Sequence, residues 1–143
     1  MADISRIDRI TRTEKTGEPY YSDFYNNFNA HPQNKRLVKY VNEESVKRSI
    51  RNLIQTDKGE RFFQPEVGCN IRSLLFEPMV ETTSIRMKDM IEDTISKFEK
   101  RARVLSVEIY PFEARQAYDV FIVFEVINNV NPVTLNLTLY RAR

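Results

Sequence analysis

The last part of the chain alternates apolar and polar residues with a period of two. From residue 133 to residue 140, every second residue is a valine or a leucine. The apolar set is Val133, Leu135, Leu137 and Leu139, and the residues between them are Thr134, Asn136, Thr138 and Tyr140. Successive side chains of a strand point to opposite faces. The pattern therefore predicts a strand with one buried face and one wet face, so the chain must build a sheet that is covered on one side.

Two further strands are predicted upstream of this one. The run from Val120 to Val126 is almost entirely apolar and is typical of a central strand. Val104 to Phe112 is predicted to be a strand with Leu105, Val107 and Ile109 on one face. Asparagines and a proline at 128–132 predict a turn between the last two strands. Arg61 to Phe63 is a candidate edge strand.

Two amphipathic helices are predicted to cover the sheet. The first starts at Asn42, and Gly59 is expected to end it. Its apolar face comprises Val46, Ile50, Leu53 and Ile54. The second starts near Thr82 or Thr83 and ends near Lys100, with a stripe of Met87, Ile91, Thr94, Ile95 and Phe98. We therefore predict an α+β fold, with two main helices packed on a small antiparallel β-meander.

Composition excludes several classes of function. The 143 residues suit one domain, and the net charge of +2 gives no general reason to expect nucleic acid as a partner. No apolar run approaches the roughly 20 residues that span a bilayer. The N-terminal residues lack a signal-peptide core, so we expect folding in a cytoplasm. With one cysteine and one histidine, we expect no metal site and no disulfide within the chain.

The first 41 residues are predicted to form an extended, largely irregular arm, and residues 42–143 a single domain. The arm contains five aromatic residues with asparagines but no aliphatic residue among them: Tyr20, Tyr21, Phe24, Tyr25 and Phe28. Aromatic side chains are good anchors against a partner. The equally weighted alternative is that they pad the outside of the protein's own core.

Three kinds of catalytic site are conceivable from the residue types in this sequence. Glu60, Glu66 and Glu77 are candidate paired carboxylates of a glycosidase. Cys69 and His31 are a candidate nucleophile and base, although neither lies at a helix start that would activate a thiol. The three glycines are too widely spread for a phosphate loop. We therefore expect no enzyme and no cofactor.

The stretch that begins at Ser45 carries a family resemblance. It comprises the helix SVKRSIRNLI, from Ser45 to Ile54, followed by TDKGERFFQPEVGCNIRSLLFE, from Thr56 to Glu77. The order and spacing of the T-x-x-G-E-R-x-F-x-P-E-x-G and L-x-x-L-F-E positions resemble the family of the T-even phage baseplate wedge protein 25, which includes TssE of type VI secretion. The resemblance extends from Ser45 to the C-terminus.

The resemblance implies a structural protein of a contractile tail. Such a protein would lie in the virion, be made in the host cytoplasm and occur in several copies around a sixfold baseplate. Its expected partners are the helical core bundle of the wedge and the tail sheath protein, with hub or tube-proximal baseplate proteins as further candidates. Neither nucleic acid nor a membrane is expected as a partner. Because the family has sometimes carried a lysozyme label, a peptidoglycan hydrolase is the alternative.

The resemblance also implies two sites. A Glu-Pro-Arg motif after the long helix of family members is associated with binding the core bundle, and Glu99, Lys100 and Arg101 stand in its place here. The lysine restores an amide donor and removes a fixed φ. The C-terminal strands of family members form a platform for the first sheath ring. We therefore expect Val133 to Tyr140 to add a sheath strand at its edge; the rival is that this strand pairs only within its own sheet.

Overall fold

The computed structural model describes residues 21–24, 30, 35–127 and 129–141, except the side chains of residues 129 and 130. The chain divides into two units after Asn42. In the first unit, strand β1 (Ser22–Phe24) pairs antiparallel with strand β2 (Lys39–Val41). The predicted domain organisation, an irregular arm of residues 1–41 and a single domain of residues 42–143, stays a prediction.

Helix α1 (Asn42–Gln55) has the predicted amphipathic face. Its apolar residues are buried: Val46, Ile50, Leu53 and Ile54. The predicted end at Gly59 is wrong, because the helix ends at Gln55. The N–H and the hydroxyl of Thr56 both donate to the Asn52 carbonyl, at 3.0 and 2.7 Å, and so complete the last turn four residues earlier than the sequence predicts.

The second and third helices lie between α1 and the sheet in sequence. Helix α2 (Ile71–Leu74) is a single turn with Ile71 and Leu74 buried. Helix α3 (Glu81–Phe98) buries most of the predicted stripe: Met87, Ile91, Thr94 and Ile95. Its first turn is tied to the preceding segment because the Thr83 hydroxyl donates to the Pro78 carbonyl at 3.0 Å. Among the described residues, no helix combines the length and hydropathy that crossing a membrane requires.

The sheet is the predicted antiparallel meander. Strands β3 (Ala102–Phe112), β4 (Ala117–Val126) and β5 (Asn129–Tyr140) are ordered β3-β4-β5, with a 3-10 turn at Glu113–Arg115. The central strand β4 buries alternate residues, and the inward set of β5 is buried as predicted: Val133, Leu135, Leu137 and Leu139. The α+β fold and the central place of the apolar strand are therefore confirmed.

One face assignment in β3 is wrong. Val104 pairs with Phe124 and Ser106 pairs with Val123, so Leu105 is an extra residue in a β-bulge. As a result Leu105 is 47% exposed while Val107 is buried, although a simple alternation places both on one face.

The candidate edge strand at Arg61 to Phe63 is also absent. These residues form bends and turns in the structure. The Gln64 N–H donates to the Arg61 carbonyl at 3.2 Å, which closes a four-residue turn with Phe62 and Phe63 at its centre.

Candidate functional site

In the described part of the chain, β5 is an edge strand. Its register against β4 is continuous from Val133 to Tyr140. Opposed residues of an antiparallel ladder alternate between pairs that exchange both hydrogen bonds and pairs that exchange none. Arg141 donates its N–H to the Gln116 carbonyl at 2.8 Å, one step beyond Tyr140 in the same register. Position 141 is therefore a hydrogen-bonded position, and so is every second residue before it.

Between Val133 and Tyr140, the residues that alternate with these hydrogen-bonded positions turn their backbone N–H and C=O groups away from β4. They are Thr134, Asn136, Thr138 and Tyr140. The Arg51 guanidinium of α1 supports this direction, because it donates to the Asn136 carbonyl at 3.5 Å. The predicted sheath-contacting strand therefore presents donors and acceptors at the edge where another chain can pair with it.

A cleft of about 310 Å³ adjoins the end of this edge. Its lining combines β5 with side chains of α1, α2 and the segment between them: Ile54, Gln55, Asp57, Ile71, Arg72, Leu75, Thr138, Leu139 and Tyr140. The polar part of the lining includes an ion pair, since the Asp57 carboxylate and Arg72 Nε are 3.1 Å apart. The aliphatic residues of the lining, Ile54, Ile71, Leu75 and Leu139, are themselves buried, so the cleft presents a mixed polar and apolar surface.

The structure brings Glu99 and Arg101 together at the junction of α3 and β3. Arg101 Nε and Nη2 donate to the two Glu99 carboxylate oxygens at 2.7 and 2.8 Å, which is a bidentate pair. The Glu99 side chain is 6% exposed and that of Arg101 30% exposed. Lys100, between them, is exposed. The pair fixes the turn from helix to strand, and it leaves Lys100 as the most accessible of the three predicted residues.

The protonation of Glu99 reflects this arrangement. Burial alone raises the pKa of a carboxyl, but hydrogen bonds from Arg101 and from the Ser49 hydroxyl outweigh it and hold the pKa of Glu99 below its ordinary value. The carboxylate therefore stays charged and links α1 to the end of α3. The sequence alone gave no sign of Ser49, which lies fifty residues before Glu99.

Only two of the five predicted aromatic anchors fall in the described part of the chain. Phe24 is 56% exposed on β1, with Lys39 Nζ 5.6 Å from the ring centroid. Tyr21 is partly exposed, and its carbonyl accepts the Asn42 N–H at 2.8 Å. The other three, Tyr20, Tyr25 and Phe28, lie outside the described residues.

The candidate catalytic residues are not gathered into one enclosed site. Glu60 and Glu66 are exposed, and Glu60 accepts the Asp57 N–H at 3.0 Å. Glu77 is held by Arg86, whose Nη1 lies 2.8 Å from one carboxylate oxygen. Such neutralised or solvated carboxyls do not resemble the acid and base of a glycosidase.

The thiol candidate is no better placed. Cys69 is fully buried, and burial raises the pKa of its thiol, which disfavours the reactive thiolate. His31 lies outside the described residues. Among the residues that are described, no three histidine, cysteine, aspartate or glutamate side chains cluster as metal ligands would.

Sequence comparison connects the chain to one family. The family model described as baseplate wedge protein gp25 matches residues 41–130. The baseplate wedge protein gp25 of Enterobacteria phage T4 is 33% identical over 100 residues, which is 70% of this chain and 76% of that protein. The family match includes Glu99 to Arg101 and stops before Val133.

Structural comparison agrees. A putative tail lysozyme from Geobacter sulfurreducens is 27% identical with a TM-score of 0.66, over 71% of this chain and 92% of that one. A chain of the anti-feeding prophage baseplate has a TM-score of 0.60 at 20% identity, over 86% of each chain. A chain of the type VI secretion baseplate complex has a TM-score of 0.54 at 17% identity, over 69% of this chain and 93% of that one. The last two likenesses concern the fold alone.

Proposed function

Since the chain belongs to the baseplate wedge protein gp25 family, we propose that it is a structural component of a contractile phage tail. In this role it is made in the host cytoplasm, assembles with other baseplate proteins and becomes part of the virion. It joins the helical core bundle of the wedge to the first ring of the sheath. It acts by binding and carries out no catalysis.

The observation that carries the sheath role is the edge of β5. Backbone groups of Thr134, Asn136 and Thr138 face away from β4, in a register that is unbroken from Val133 to Tyr140. Such an edge is a template for a strand of another chain, and main-chain hydrogen bonds supply the affinity. We assign the added strand to the tail sheath protein.

The two edges of the sheet differ in a way that favours β5. Strand β3 carries the bulge at Leu105 and a proline at 111, both of which obstruct edge pairing. In β5 the proline at 132 precedes the regular stretch from Val133 to Tyr140. The β3 edge is therefore obstructed, whereas the β5 edge is regular, and an added strand would displace the Arg51 guanidinium from the Asn136 carbonyl.

The wedge role is assigned to the junction of α3 and β3. The pair between buried Glu99 and half-buried Arg101 holds the backbone of this turn, and Lys100 is exposed beside it. The Arg101 carbonyl also accepts the Ile127 N–H at 2.9 Å, which ties the junction to the end of β4. A rigid, positively charged turn suits an acidic stretch of a helical bundle.

The proposal is tested by measuring binding and hydrolysis on one preparation. The purified chain is mixed with wedge and sheath proteins of the same virus and co-purified, and it is also incubated with peptidoglycan. We expect retention of both partners and no soluble glycan, because the candidate carboxyls are exposed or paired with arginine.

Three matched variants make the enzymatic alternative testable: Glu60→Gln, Glu66→Gln and Glu77→Gln. Glycan release by the unaltered chain that disappears in one of them would show that the protein is a peptidoglycan hydrolase. Failure to retain either partner would contradict the structural role.

A further inference from the structure

The loop between α1 and α2 ends in an aromatic tip. Phe62 and Phe63 are 96% and 100% exposed. They occupy the two central positions of the turn that Gln64 N–H closes on the Arg61 carbonyl. Those positions usually hold glycine, proline, asparagine or aspartate. Two phenylalanines there expose a contiguous apolar surface at the most accessible point of the loop.

The loop that carries the tip is internally bonded. The Gly59 N–H donates to the Pro65 carbonyl and the Cys69 N–H to the Thr56 carbonyl, both at 2.8 Å. Gly68 closes the base at a φ of +138°, where an added Cβ would lie 2.6 Å from the Thr56 carbonyl oxygen. The tip is therefore held in place before any partner binds, so less conformational entropy is lost when it docks.

We propose that Phe62 and Phe63 insert into an apolar pocket of a neighbouring baseplate protein. Moving an exposed phenylalanine side chain from water into an apolar pocket is favourable. Aromatic residues that are held in place before binding are typical anchors of protein interfaces. That the partner belongs to the baseplate rests on the proposed function. Neither Phe62 nor Phe63 lines the cleft beside β5, and replacing them leaves the residues of that edge unchanged.

The charge around the tip favours a protein over a lipid surface. From Lys58 to Glu66 the chain has two basic and two acidic residues, Lys58 and Arg61 against Glu60 and Glu66. Binding to anionic lipid relies on clustered basic residues, which this balance does not supply. A second copy of the chain is the other rival, and the cleft beside β5 does not favour it, because polar and charged residues such as Asp57, Arg72 and Thr138 line that cleft.

The test compares Phe62→Ala/Phe63→Ala with a matched control, Phe76→Ala, which alters another exposed phenylalanine outside the loop. The probe is a wedge assembled from the other wedge proteins of the same virus. We expect the double variant to fold, to keep its attachment to the sheath and to bind the wedge about 30-fold more weakly or worse. The control is expected to bind like the unaltered chain.

The possible outcomes separate this inference from the proposed function. If the unaltered chain binds the wedge and the double variant binds equally well, the tip proposal is wrong while the structural role stands. If the unaltered chain does not bind the wedge, the proposed function fails and the tip proposal fails with it. Flotation of the chain with anionic phosphatidylserine vesicles that needs the two rings would assign the tip to lipid. Self-association that needs the two rings would assign it to a second copy. Either result would overturn the proposal.

Discussion

A chain with Asn136→Pro is expected to fold but to lose attachment of the sheath. The Asn136 N–H faces the open edge of β5, and proline removes this donor and places its ring where an added strand must lie. Hydrogen bonds to β4 come from the neighbouring positions 135 and 137, so the fold is expected to lose only about 1 kcal/mol, mostly from local strain. Sheath assembly on baseplates, scored by electron microscopy, should fall at least about tenfold.

The matched control is Asn136→Ala, which removes the same side chain and keeps the N–H. Circular dichroism and thermal unfolding establish that both variants are folded. The control should assemble sheath normally. If the folded proline variant also assembles sheath normally, strand addition at this edge is wrong, and β5 pairs only within its own sheet.

Glu99→Gln is expected to lower the free energy of unfolding by about 3 kcal/mol at pH 7, because it removes the buried carboxylate to which Arg101 and Ser49 donate. Chemical denaturation measures this difference. Glu92→Gln is the control on the same helix. Its contact with Lys88 is long, 3.9 Å, and exposed, so the change should stay within about 0.5 kcal/mol.

The same substitution predicts a pH dependence. Because the folded-state pKa of Glu99 lies below the ordinary value of 4.5, its stabilising effect is complete above that value and is lost as the pH falls through the lower, folded-state pKa. The difference in stability between the unaltered chain and Glu99→Gln should therefore be largest near neutrality and shrink in acid. A difference that stayed constant down to the acid limit would show that Glu99 stabilises the junction without its charge.

Periodicity in the sequence was enough to predict much of the fold. The regular alternation of β5 and the stripe of α3 predict the buried residues because each element packs a single face against the core. Leu105 departs from this alternation, because the β-bulge adds one residue to the strand and so moves Leu105 off the face that Val107 occupies. Nothing in the sequence of this strand marks the residue at which the ladder slips by one position.

The sites were less predictable, because they depend on contacts between distant parts of the chain. Glu99 looks like an exposed charge at a helix end, and its burial comes from packing against α1 and from the fork of Arg101. Phe62 and Phe63 look like the start of a strand. The sequence signal against a strand is the position of the pair between Gly59 and Pro65, because glycine and proline mark turns.

The most direct measurement of the strand-addition account is amide hydrogen exchange, read residue by residue, with and without the sheath protein. Strand addition at β5 predicts new protection at the edge-facing amides, which are those of Thr134, Asn136, Thr138 and Tyr140. The alternate amides of β5 already bond to β4, so their protection should change little. Sheath binding that leaves the four edge amides unprotected, or that protects β3 in their place, would contradict strand addition at β5.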